Sequence, residues 1–314
     1  MSDLLSYILT AEFGYSMLRV TTPILFAAMG SIVAESSGAS NIALEGNMLF
    51  AALFGAIGSG LTGSVFWGLI IAIAGGLIIS ALLIYFGLYL KTDIILSGIA
   101  LNTLASGGSI FLMYVILHDK GSTSSIKTLV CPNINLPGIE NIPVLGDILS
   151  GHNILTYFAF LSVIFVWFLL YKTKLGMHIR CVGENAEAAA SVGIKIKSVK
   201  LVSLLISGVL ASLGGAFLSM GYMNGFSRGM VSGRGFIGLA AAAMGQLSPV
   251  PTLIASLIFG CADAMSNIMA AMRIPDEFVK LIPYVTTVVG LIVISSWRTW
   301  RVKKKRIAAL VSAN

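Results

Sequence analysis

The sequence predicts an all-α polytopic membrane protein with about eight to ten transmembrane helices, possible broken or re-entrant segments included. Three observations predict it. Mean hydropathy is +0.93. Over the 314 residues 57% are hydrophobic and 11% charged, against about 25% charged in soluble domains. The basic residues also cluster in two stretches, 172–200 and 298–306, that interrupt or end long apolar runs. Lys and Arg near span ends are retained on the cytoplasmic side, which accounts for a net charge of +7. A nucleic-acid partner would need a basic soluble face, and none is present. Cys131, Cys181 and Cys261 are far apart and odd in number, with neither metal-ligand spacing nor a disulfide framework. The first 19 residues lack a basic n-region and a small-residue cleavage site, so no cleaved signal peptide is expected.

The elements follow in order. Residues 1–13 are mildly amphipathic and suit the membrane surface. Residues 15–34 form the first span, which Pro23 would bend. The stretch from Glu35 to Asn47 is polar and rich in Gly and Ser, yet an apolar run to Ile57 follows directly. It reads either as a broken or re-entrant helix, since irregular backbone at membrane depth must be buried in protein or line a cavity, or as an ordinary loop before a short span. Residues 65–90 and 94–117 are spans. Residues 118–153 hold Pro132, Pro137 and Pro143 with balanced charge, and are expected outside as a lid or short helix. Residues 154–171 cross inward and 199–222 outward, with the basic loop 172–200 between them on the cytoplasmic side. Within that loop Glu184 to Ala190 is helix-favouring and is bracketed by Gly183 and Gly193. Residues 223–234 read as a Gly-rich external turn, and 235–245 are too short for an untilted span. Residues 252–270 and 278–297 are the last spans, and 298–314 is a basic cytoplasmic tail that suits anionic head groups. The whole chain, 1–314, is read as one transmembrane domain with its N-terminus outside. The two short Gly-bearing segments, 41–57 and 233–245, stand in comparable places in the two halves, as interrupted segments do around transporter sites.

The chemistry is that of a conduit. No G-x-x-x-x-G-K-[S/T], H-E-x-x-H or G-x-S-x-G occurs, and His118, His152 and His178 are dispersed. Catalysis in this chain is not expected, and no cofactor or metal site is. Polar residues at membrane depth mark a translocation pathway: Asn41, Glu45, Asn47, Asn102, Gln246 and Asn267, with Ser106 beside them. That lining is largely uncharged and suits a neutral, hydroxyl-rich solute, with energy supplied by another chain. Asp263 reads as a carboxyl paired within the protein or as a coupling-ion ligand; the second would suit an ion-coupled carrier.

Four stretches resemble one family. Glu35-Ser36-Ser37-Gly38-Ala39-Ser40-Asn41-Ile42-Ala43-Leu44-Glu45-Gly46 is similar to the E-R-S-G-V-x-N-I-G-x-E-G signature of bacterial ABC-importer permeases of the ribose/branched-chain amino acid class. Arg180 to Ala189, followed by Gly193-Ile194, resembles that class's R-A-x-G-x-N-P-x-A-A-x-x-x-G-I loop. Ser207–Ala216 and Gly235–Ala240 follow its pattern as well. Ser36, Cys181 and Ala186 depart from it, standing where Arg, Ala and Pro are usual. Within the class the likeness is to the nucleoside and simple-sugar branch, with simple sugars or branched-chain amino acids as the alternative solutes. The resemblance implies a multi-pass protein of the bacterial cell (inner) membrane working by alternating access. It implies a coupling helix in which Gly183, Glu184, Asn185, Glu187, Ala188 and Ala189 meet a separate ATP-binding subunit that holds the ATP and Mg. It also implies a second permease subunit, most commonly a different one, and an extracellular substrate-binding lipoprotein.

Overall fold

The computed structural model describes residues 10–119, 121–135, 145–271 and six positions between 285 and 292. Among these residues seven helices are long and apolar enough to cross a membrane. They are α1 (Ala11–Glu35), α2 (Leu44–Thr62), α3 (Val65–Ile84), α4 (Ile94–Leu117), α6 (Ile154–Lys172), α9 (Ile196–Phe217) and α11 (Pro249–Ala271). Single π-helical turns, Tyr85–Tyr89 and Leu218–Tyr222, extend α3 and α9. Four shorter helices complete the set: α5 (Leu145–Leu149), α7 (Lys174–Glu184), α8 (Ala186–Ser191) and α10 (Arg234–Met244). Strands β1 (Asn133–Ile134) and β2 (His152–Asn153) pair antiparallel for two residues. This is an all-α multi-pass membrane architecture. The expected final span and basic tail lie largely outside the described residues.

The molecule has a basic end, carrying residues 172–200, and a loop end, carrying residues 121–135 and 145–153. Helix α1 runs from the second to the first through the centre. At the loop end the Tyr15 hydroxyl donates to the Gly151 carbonyl at 3.0 Å, and its ring stacks on His152 at 4.0 Å. Every residue from Val20 to Ala34 is buried. A helix apolar on all sides belongs inside a bundle, and α1 packs against α6, α9, α10 and α11. Pro23 does not end it. The Thr21 and Thr22 hydroxyls donate to the Met17 and Leu18 carbonyls one turn back, and neighbouring side chains and helices commonly support a proline in this way in a membrane helix.

Close helix contact in lipid depends on small residues, because lipid tails are as apolar as leucine. Gly215 of α9 lies directly on the Met48 carbonyl of α2, where a methyl group would overlap the oxygen. On the outside of the bundle, α3, α4 and α6 present large apolar side chains such as Phe66, Leu96, Phe111 and Ile164. Such a surface suits contact with lipid tails.

In three segments the structure goes beyond the sequence-based description, and for residues 36–43 it matches the broken-helix reading rather than the ordinary loop. Residues 36–43 are non-helical, yet Ser37, Ala39, Asn41 and Ala43 are buried. They fold back into the protein instead of lying in solvent. The charged central loop is not one short helix. It is α7 and α8 with a joint at Asn185, whose extended backbone (φ −152°, ψ 103°) turns the chain and whose side chain caps α8 by accepting from the Ala188 amide at 3.0 Å. Helix α7 therefore passes through Gly183, which sequence reading places at a boundary. The stretch 223–233 is held at the loop end, as an external turn, by the bonds of the Thr123 amide to the Phe226 carbonyl and of the Arg228 amide to the Gly121 carbonyl, with Met223, Asn224, Arg228, Gly229 and Ser232 exposed; Gly229 and Gly233, at positive φ, then lead it to the start of α10. The 11 residues of α10 then span about 16 Å, roughly half of a 30 Å core.

Candidate functional site

Two places collect the polar chemistry. The first is at mid-depth, around the start of α2. Ser207 lies 11 residues along α9, about 17 Å from its start at the basic end. Its hydroxyl accepts from Asn41 Nδ2 at 2.9 Å. Asn47 Nδ2 donates to Ser80 of α3 at 2.8 Å. Both asparagines are fully buried. Asn102 of α4 clamps the helix start: its Oδ1 accepts from the Gly46 amide at 2.8 Å and its Nδ2 donates to the Ile42 carbonyl at 2.9 Å. These bonds leave Asn41 Oδ1 and Asn47 Oδ1 buried without a hydrogen-bond partner among the described residues.

Glu45 completes the group. One carboxylate oxygen accepts from the Gly233 amide at 2.8 Å and the other from the Gly235 amide at 2.9 Å. A helix N-terminus offers unpaired amides and the positive end of its dipole to an anion, and here the anion is the protein's own side chain. Gly235 makes the approach possible: a β-carbon there would stand 2.8 Å from Glu45 Oε2 and 2.6 Å from its backbone nitrogen. Beside it Arg234 Nη2 donates to Asp263 Oδ2 of α11 at 3.0 Å, the only ion pair among the described residues. The Arg234 guanidinium also donates to the Met230 and Val231 carbonyls and lies 5.9 Å from the Tyr222 ring centre, against which Arg19 packs at 4.7 Å. Of the two sequence readings of Asp263, the paired carboxyl matches these contacts. One carboxylate and one ion pair thus tie α2, α10 and α11 together where α10 begins.

The second place is a groove of about 750 Å³ at the basic end. Gly183, Glu184, Asn185, Ala188 and Ala189 line it, opposite Glu35, Ser36 and Gln246. Glu184, Asn185 and Ala188 are exposed, whereas Ala189 is buried and holds α8 to the bundle. Glu187 is exposed but is not part of the groove wall. Gly183 is pressed on the backbone of the polar segment; any side chain would overlap the Ser36 carbonyl. Lys200 Nζ donates to the Gly38 carbonyl at 3.2 Å and fixes the same segment from α9. These contacts join α7 and α9 to residues 36–38, which continue through residues 39–43 to the asparagine and Glu45 cluster.

Of the six sequence-predicted pathway residues, Asn41, Glu45, Asn47 and Asn102 converge at the start of α2. Gln246 sits in the groove wall, at φ +53° just past α10. Asn267 is exposed near the end of α11 and joins neither group. Sequence reasoning missed Ser80, Ser207 and Arg234 as partners. Only Arg234 carried a signal, as the sole basic residue beside a short mid-depth helix.

Residues 15–294 match the family model described as "Branched-chain amino acid transport system / permease component". The chain belongs to this family. Family members are transport permeases, and this permease spans the membrane in the manner described above. It is 32% identical over 287 residues to the nucleoside ABC transporter permease protein NupC of Lactococcus lactis subsp. cremoris (strain MG1363), covering 88% of this chain and 90% of that one. It is 32% identical over 300 residues to the guanosine ABC transporter permease protein NupQ of Bacillus subtilis (strain 168), with 92% of each chain covered. Among solved structures, PsaBC from Streptococcus pneumoniae in complex with Fab shares the fold at a TM-score of 0.51 and 14% identity, over 92% of this chain and 94% of that one.

Proposed function

We propose that this permease is the membrane-spanning subunit of a bacterial inner-membrane ABC importer for nucleosides. Its basic end faces the cytoplasm and its loop end faces outward. The solute class rests on the names of the two relatives. ATP and Mg belong to separate ATP-binding subunits, a lipoprotein delivers solute at the loop end, and a second, different permease completes the pathway. The observation that carries the reading is the contact between Gly183 and the Ser36 backbone. It joins the exposed surface of α7 and α8 to the motif at the start of α2. An ATP-binding subunit closing on its twin would shift α7 and α8. That shift would move residues 36–43 against α9 and tilt the Glu45–α10 junction, so that the bundle opens on the other side.

The test is Glu184→Lys combined with Ala188→Trp, both exposed in the groove wall. Expected are normal membrane insertion, loss of the co-purifying ATP-binding subunit, and guanosine uptake reduced at least about tenfold, as for loss of one interface residue worth more than 1 kcal/mol at each of two positions. Uptake at the unaltered rate would refute the docking role. Competition by glucose or leucine, but not by adenosine, would keep the importer and change its solute.

A further inference from the structure

Helix α6 carries an apolar stripe along its outer face. Leu161, Ile164, Phe165 and Phe168 are each at least half exposed, as expected of side chains in contact with acyl chains. The stripe ends at the basic end in Trp167 and Tyr171, and Trp and Tyr favour the level of the lipid head groups. Two cations rest on these rings. Lys172 Nζ lies 5.7 Å from the Trp167 ring centre, and the Arg180 guanidinium 5.0 Å from that of Tyr171. Lys174 follows at the first position of α7. All three basic residues are exposed, and none pairs with a carboxylate among the described residues. A groove for a protein partner is not what they form: Lys172, Lys174, Trp167 and Tyr171 lie outside the wall of the 750 Å³ groove, and only Arg180 touches it.

Uncompensated cations held by aromatic rings, at the foot of a lipid-facing helix, match an anion that arrives attached to acyl chains. We propose that Lys172, Lys174 and Arg180 bind the phosphodiester head group of an anionic phospholipid, whose chains lie along Leu161, Ile164 and Phe168. The rings pre-orient Lys172 and Arg180, and the stripe receives the chains. The site adjoins the coupling groove through Arg180, so the bound lipid would brace α7 against α6.

The experiment reads Trp167 fluorescence in the full chain after Trp67, Trp297 and Trp300 are changed to Phe. The protein is reconstituted in phosphatidylcholine with increasing fractions of phosphatidylglycerol, one lipid at a time carrying bromine on its acyl chains. Brominated phosphatidylglycerol is expected to reach half-maximal quenching at a several-fold lower mole fraction than brominated phosphatidylcholine. Lys172→Gln with Lys174→Gln should raise that fraction by roughly fivefold for each basic residue removed, while Lys172→Arg with Lys174→Arg should keep it. Equal quenching by the two lipids in the unaltered cations would overturn the proposal. So would a preference for phosphatidylglycerol that survives the Gln pair.

Discussion

Glu45→Ala is expected to destabilise the permease by about 2–4 kcal/mol, because it removes two hydrogen bonds and leaves two amides without their partner where α2 meets α10. Gly235 is buried where α10 begins, so its amide has no water to turn to, whereas Gly233 is only half-buried. Glu45→Gln should fall between the two: its single carbonyl oxygen can accept from one amide, while its NH₂ group faces the other and cannot. Thermal unfolding of the detergent-solubilised protein should therefore rank the parent above Gln and Gln above Ala. Gly235→Ala should fall near Glu45→Ala, because its methyl group would occupy the space of the carboxylate. If Glu45→Ala melts with the parent, the carboxylate is not holding α10 to α2.

The ion pair between Arg234 and Asp263 predicts a different pattern. Removing one member leaves the other charged and unpaired at depth, which costs about 3–5 kcal/mol. Arg234→Met and Asp263→Leu should each be strongly destabilising, but the double variant should recover much of the loss, since a packed apolar pair often equals a buried ionic one. A double-mutant cycle on unfolding checks this. Strict additivity of the two losses would mean that the residues act separately, and Asp263 would then have another role. Transport by the double variant separates structure from mechanism. Restored stability with restored uptake makes the pair a brace. Restored stability without uptake places it among the parts that must move.

Much of this arrangement was legible in the residues. A polar, glycine-bearing run between Glu35 and Asn47, set directly against an apolar run, allowed a broken helix or an ordinary loop before a short span. The buried, non-helical 36–43 segment is the resolution. The short length of 235–245 likewise announced a helix that does not cross. The charged stretch 172–200 was visible as a surface element, and the family it resembles is the one whose model matches residues 15–294.

What was not legible depended on distant partners. Asn41 is bonded to a serine 166 residues away and Asn47 to one 33 residues away, and nothing in their own neighbourhoods selects those hydroxyls from the others. The external turn at 223–233 was legible from its glycines, but the bond that ends it was not: the Gly233 amide donates to Glu45, 188 residues away. The boundary at Gly183 was misplaced for a related reason. Glycine is a common helix terminator, but here its missing side chain admits the Ser36 carbonyl, and Asn185 performs the capping.

The central claim is that the surface formed by α7 and α8 faces the cytoplasm and receives the ATP-binding subunit. Cys181 is exposed on α7 in the groove wall, while Cys131 at the loop end is buried and its thiol is pushed up to about 11 by desolvation, so it stays protonated and unreactive near neutral pH. With Cys131 and Cys261 changed to Ser, labelling of Cys181 by a membrane-impermeant maleimide measures the claim. The account predicts labelling in inside-out vesicles, protection when the ATP-binding subunit is present, and no labelling in intact cells. Labelling of Cys181 from outside intact cells would contradict it.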